Sequence, residues 1–148
     1  MAPLKPEESS LKVRAIPLLV LLLASGAAAA ELLVREFSGI GRTDTGSFAV
    51  DAPWLVEWHS RPPTSIDHKP AHLEVHLYDA MRNEYVGRVV QHAGVGRGDV
   101  LIEHSGRFLF KVQGQATEWR LKVIKVDEEY AERLREAQRE TDPRRRRR

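Results

Sequence analysis

Hydrophobic and polar residues alternate with a period of two through most of the stretch from Leu33 to Val126. At that period successive side chains point to opposite faces of a strand. The clearest run sets Leu73, Val75 and Leu77 against His72, Glu74, His76 and Tyr78. Trp54, Val56 and Trp58 share a face, as do Phe108, Phe110 and Val112, and then Trp119, Leu121 and Val123. Leu33, Arg35 and Phe37 mark a first, edge-like strand, and Phe48–Val50 is a short one. Tyr85–His92 is another, and Val100, Ile102 and His104 fall on one face. The breaks are chemical. Ser60–Pro70 carries three prolines and no period, which predicts a long loop. Gly94, Gly96 and Gly98 predict a glycine-rich loop, and Ser105-Gly106 predicts a tight hairpin turn. About eight short strands, with turns at roughly eight- to twelve-residue spacing and no helical period between them, predict an all-β fold. The expected architecture is an antiparallel β-sandwich or jelly roll over residues 31–126.

The pattern changes at both ends. After Val126, Asp127 can cap a helix, Tyr130, Leu134 and Ala137 recur at helical spacing, and Pro143 stops it. The apolar stripe is narrow, so residues 127–148 are expected to form a solvent-facing charged helix followed by an arginine tail. At the start, Lys5, Lys12 and Arg14 precede an apolar run from Ala15 to Ala24, and Ala28-Ala29-Ala30 supplies small residues. That order predicts a signal peptide over residues 1–30, cut before Glu31. Pro17 and the closing alanines leave a run shorter than the roughly 20 apolar residues of a membrane span, so no span is expected after cleavage.

Composition narrows the compartment. The chain has no cysteine, hence no disulfide and no lipid-modified cysteine. A small exported domain without disulfides fits the bacterial periplasm or a bacterial secreted protein better than animal secretion. The formal charge of +2 is unevenly placed. Residues 31–126 hold twelve basic and twelve acidic residues, and residues 127–148 hold eight and seven. The folded domain is therefore neutral, which argues against nucleic acid as its partner.

His72, Glu74 and His76 are the candidate metal ligands. On one strand they share a face, each step of two residues spanning about 6.6 Å. Imidazoles so placed suit zinc or copper if His92 or His104 adds a third ligand; otherwise the three form a solvated polar face. Arg97-Gly98-Asp99 spells a tripeptide known from integrin ligands. The glycines around it do not read as a phosphate cradle, because a strand rather than a helix follows. Trp54 and Trp58 are either core or a sugar-stacking platform. No serine stands in a nucleophile elbow, so no catalytic residue and no cofactor is implied. Arg144, Arg145, Arg146, Arg147 and Arg148 are candidate contacts for an anionic envelope surface, lipid or acidic polysaccharide.

The stretch from His72 to Val126 resembles the second half of the bacterial pre-peptidase C-terminal domain. The residues that carry the resemblance are Leu73-Glu-Val-His-Leu77-Tyr78-Asp79, Val86, Ser105-Gly106-Arg-Phe108-Leu-Phe110-Lys-Val112 and Trp119-Arg-Leu121-Lys-Val123. The chain departs from that family in its glycine-rich segment and in Trp119, where tyrosine is commoner. The resemblance implies a jelly-roll adjunct that binds surfaces or carbohydrate and brings no catalytic residues. The combined expectation is an exported non-catalytic binding module for a protein, glycan or envelope surface. The alternative is a small metal-binding periplasmic protein using the strand histidines.

Overall fold

The structure, a computed structural model, describes residues 31–63 and 70–141. Residues 1–30, the expected signal peptide, and the arginine run 144–148 lie outside the described residues. Among the described residues nine strands and one helix follow in chain order: β1 (Leu32–Ile40), β2 (Thr43–Asp44), β3 (Phe48–Val50), β4 (Trp54–Arg61), β5 (His72–Asp79), β6 (Glu84–Ala93), β7 (Gly96–Ile102), β8 (Gly106–Gln115), β9 (Glu118–Lys125) and α1 (Glu128–Thr141). All pairings are antiparallel. Sheet A runs β1-β9-β4-β7 and sheet B runs β2-β8-β5-β6, with β3 also paired to β8. Taking β2 and β3 as one broken strand, this connectivity is an eight-stranded jelly roll, the fold class that the alternation predicts.

The inward sets are those of the period-two pattern. Trp54, Val56, Trp58, Leu73, Val75, Leu77, Phe108, Phe110, Val112, Trp119, Leu121 and Val123 are buried together between the sheets. At their centre Phe48 lies 5.1 Å from Phe110 and 5.6 Å from Trp54, which in turn lies 5.7 Å from Phe108. Edge-to-face and tilted rings at these separations add to the stabilisation from burial alone. Two indoles keep their N–H groups bonded: Trp54 Nε1 donates to the carbonyl of His104 at 2.8 Å and Trp119 Nε1 to that of Gly41 at 3.0 Å. Trp54 and Trp58 are thus core residues rather than a surface platform.

Three local readings change in the structure. Strand β1 carries a bulge between Leu33 and Arg35, so Val34 and Phe37, not Leu33, pack on the core. Gly96 and Gly98 belong to strand β7, and only Gly94 and Val95 link it to β6. Trp58 covers Gly98 so closely that a Cβ there would meet its ring at 2.9 Å, and His92 covers Gly96 in the same way. The glycines give the rings room, which is why a strand persists through a glycine-rich sequence. Ser105-Gly106 is not a hairpin turn; it carries the chain from β7 in sheet A to β8 in sheet B. A hairpin does join β5 to β6 at residues 80–84, where alternation breaks as a turn requires; there Asp79 Oδ1 accepts from the N–H groups of Met81 and Arg82 and Asn83 adopts a φ of 55°.

The helix faces solvent along most of its surface, and residues 136–141 are exposed, but its narrow apolar stripe is packed. Leu55, Leu101 and Ile124 point out of sheet A, and Tyr130, Ala131 and Leu134 of α1 pack on them with Val126. Asp127 Oδ1 accepts from the Tyr130 N–H at 2.7 Å, the expected N-terminal cap. Arg135 ties the helix to the sandwich edge through Glu103 at 2.8 Å.

Phe110 is fully buried among Phe37, Phe48 and the facing sheet. Phe110→Ala is expected to cost about 3–5 kcal/mol of unfolding free energy, measured by urea denaturation. A variant with an unchanged midpoint would contradict this core.

Candidate functional site

Each sheet has one outer face, and the two differ. On sheet A the row nearest α1 is apolar and covered, and the next rows are charged. Register places Glu36, Lys122, Glu57 and Asp99 side by side across four strands, then Ser38, Arg120, His59 and Arg97. Lys122 Nζ lies 3.1 Å from Glu57 and Arg120 Nε 3.3 Å from Glu36. A groove of about 520 Å³ runs over these rows, with Trp58 beneath it at Gly98. Asp99 is crowded by like charge. Partial burial, Glu57 opposite it and Glu31 hold its carboxyl above the usual carboxylate range.

On sheet B nothing among the described residues covers the outer face. Register sets Asp44, Lys111, His76 and Arg88 in one row across β2, β8, β5 and β6. The adjacent row on one side holds Gln113, Glu74 and Gln91, and on the other Leu109, Tyr78 and Tyr85. Tyr78 and Tyr85 meet edge to face at 5.5 Å, and Tyr85 also contacts His76 at 5.7 Å. Lys111 Nζ sits 4.3 Å above the Tyr78 ring, a cation–π contact. With Arg42, Asp44 and Gln113 these residues line an open hollow of about 430 Å³.

The candidate metal residues lie on this face. Glu74 stands between the two histidines: its Oε1 is 3.0 Å from His76 Nε2 and 3.8 Å from an Arg88 nitrogen, and its Oε2 is 3.7 Å from His72 Nε2. Both imidazoles thus turn their Nε2 atoms to one carboxylate. The proposed third ligands are elsewhere. His92 is on the inner side against Trp58, at 5.0 Å, and His104 lies in the link between β7 and β8. Among the described residues no group of three or more histidine, aspartate or glutamate side chains could hold a metal ion. Arg97 and Asp99 of the tripeptide project from strand β7 rather than from a loop tip.

The aromatic cluster escaped the sequence reading. Tyr78 continues the outward set of β5, and Tyr85 falls outward on β6 by alternation from the buried Val90; two register shifts, between Val75 and His76 and between Leu77 and Tyr78, cancel in face and set Tyr85 opposite Tyr78. Sequence alternation gives the face of each ring, but not the shifted register that brings the two rings together.

No protein-family model matches the chain, and no curated protein is significantly similar to it in sequence. Among solved structures, PliG of Aeromonas hydrophila, a periplasmic lysozyme inhibitor of g-type lysozyme, aligns at a TM-score of 0.31 and 17% identity, covering 70% of this chain and 90% of that one. A superposition that loose carries no functional argument. Among the described residues no helix is long and apolar enough to cross a membrane.

Because neither His92 nor His104 joins His72, Glu74 and His76 on this face, equilibrium dialysis at micromolar zinc is expected to show no stoichiometric uptake. Uptake of one zinc per chain that disappears in His76→Ala would place a metal on this strand after all.

Proposed function

We propose that this protein is an exported, non-catalytic binding module that engages a protein partner through the open outer face of sheet B. The observation that carries the reading is Tyr85. Its side chain is 56% exposed, yet Tyr78 and His76 hold its ring from two sides. A large ring fixed before binding loses little conformational entropy on contact, which is what an interface anchor needs. Arg88, Lys111 and Arg42 surround it, and tyrosine and arginine are the residues enriched where proteins meet. Glu74 braces the patch from below by facing His76, His72 and Arg88 at once. Export rests on the basic, apolar and small-residue order of the first thirty residues. The resemblance of residues 72–126 to secreted adjunct domains is in keeping with it.

The experiment uses immobilised protein to capture its partner from bacterial envelope extract, followed by titration of the purified partner. Tyr85→Ala is expected to weaken binding by about tenfold or more while the melting temperature stays unchanged, since the side chain is largely exposed. Equal affinity for wild type and Tyr85→Ala would remove the site from sheet B. Capture that survives protease but not glycan-degrading treatment would replace the protein partner by a glycan.

A further inference from the structure

Strand β7 is an edge of sheet A: β4 pairs with one side of it, and no strand among the described residues pairs with the other. Gly96 turns both its N–H and its carbonyl to Ser60 Oγ of β4, at 3.0 and 3.4 Å. By the alternation of an antiparallel strand, the backbone groups of Arg97, Asp99 and Leu101 then face the open edge. Such an edge is a template for another strand unless something blunts it.

The side chains on this edge are also incomplete. The ion pairs across the outer face of sheet A join Arg120 to Glu36 and Lys122 to Glu57, and they stop at β7. Among the described residues neither Arg97 nor Asp99 has an ion-pair or side-chain hydrogen-bond partner, although both are exposed. Across β4, Arg97 faces His59, and Asp99 faces the like charge of Glu57. Like charges directly opposite one another destabilise a sheet.

The sequence of the edge supplies its own complement. About Gly98, the outward residues run Val95, Arg97, Asp99, Leu101. Turned by a two-fold axis through Gly98, the same strand presents Leu101 to Val95, Asp99 to Arg97, Arg97 to Asp99 and Val95 to Leu101. On the inner side Gly98 meets Gly98 and Gly96 meets Val100, so no bulky pair clashes where the backbones come closest, about 4.5 Å between Cα atoms. We infer that two copies of this chain associate along β7, antiparallel and centred on Gly98, joining two A sheets into one of eight strands.

The pairing gives each Asp99 the guanidinium its own chain does not offer, and it covers Val95, a 59% exposed hydrophobic residue. It also lies beside the seam between the β6 and β7 edges, where Val86, Val89 and Val100 border a cleft of about 280 Å³. An isologous contact of this kind closes on itself and stops at two subunits. The raised carboxyl of Asp99 is in keeping with a group whose counter-ion lies outside its own chain.

Sedimentation velocity over a concentration series tests the inference. Wild type is expected to shift from monomer to dimer as concentration rises. Arg97→Asp and Asp99→Arg, each alone, set like charges opposite and are expected to lose at least about tenfold in dimer affinity. An equimolar mixture of the two variants restores both pairs, since one chain then offers two acids and the other two bases, so a heterodimer forms. If either single variant fails its thermal-melt check for folding, the double swap of Arg97→Asp with Asp99→Arg keeps complementarity and dimerises. A wild type that stays monomeric into the millimolar range would overturn the inference. So would a dimer that both reversals leave unchanged, or a mixture of folded variants that stays monomeric.

Discussion

Ring packing between Phe48, Phe110, Trp54 and Phe108 holds the two sheets face to face, and no covalent link assists it. A domain of about a hundred residues has little surplus stability, and many exported domains of that size use disulfides. Here large aromatic side chains take that part. They also fix geometry. Each inward ring sets the phase of its strand, and the phase decides which residues stand on the two outer faces. His76 and Tyr78 point outward because Leu77 points in, and Arg120 and Lys122 because Leu121 does.

From that common frame the outer faces diverge. Sheet A has an apolar row that a helix seals, followed by charged rows that pair among themselves until the β7 edge. Sheet B keeps its face open and sets aromatic rings among cations on it. Several polar side chains outside the core are held by more than one neighbour. Glu74 faces three basic groups, and Arg135 bonds Glu103, Glu128 and Glu132. Those carboxylates raise the already high pKa of Arg135, so its charge is constant over any ordinary pH.

The strand order of a jelly roll is not written in periodicity, but its core is. The alternation around Leu73–Leu77, Phe108–Val112 and Trp119–Val123 names the buried side chains correctly because each run is regular. Where β1 bulges, the count fails and Val34 replaces Leu33 on the core face; on β6 two shifts leave the face of Tyr85 unchanged but set it opposite Tyr78, a pairing that alternation does not give. Glycine misled for a different reason. Gly96 and Gly98 look like breakers, yet each lies under a ring: His92, just before the link to β7, and Trp58, which becomes a neighbour only through the pairing of β4 with β7. The seat of the helix was not legible because its partners, Leu55 and Leu101, occupy the positions that alternation assigns to solvent. Of the candidate site, the shared face of His72, Glu74 and His76 was legible. That the carboxylate sits between the imidazoles is a matter of rotamers, on which sequence spacing is silent.

The placement of α1 bears on how such a chain is made. The apolar row of Leu55, Leu101 and Ile124 is assembled from three strands, but its cover comes from residues that follow the last of them. A chain emerging from the ribosome amino end first therefore completes both sheets before it owns the segment that closes the row. During that interval a greasy strip faces the solvent, the kind of surface that holdase chaperones bind and that drives nascent chains together. Delivery of the helix is the step that ends this exposure.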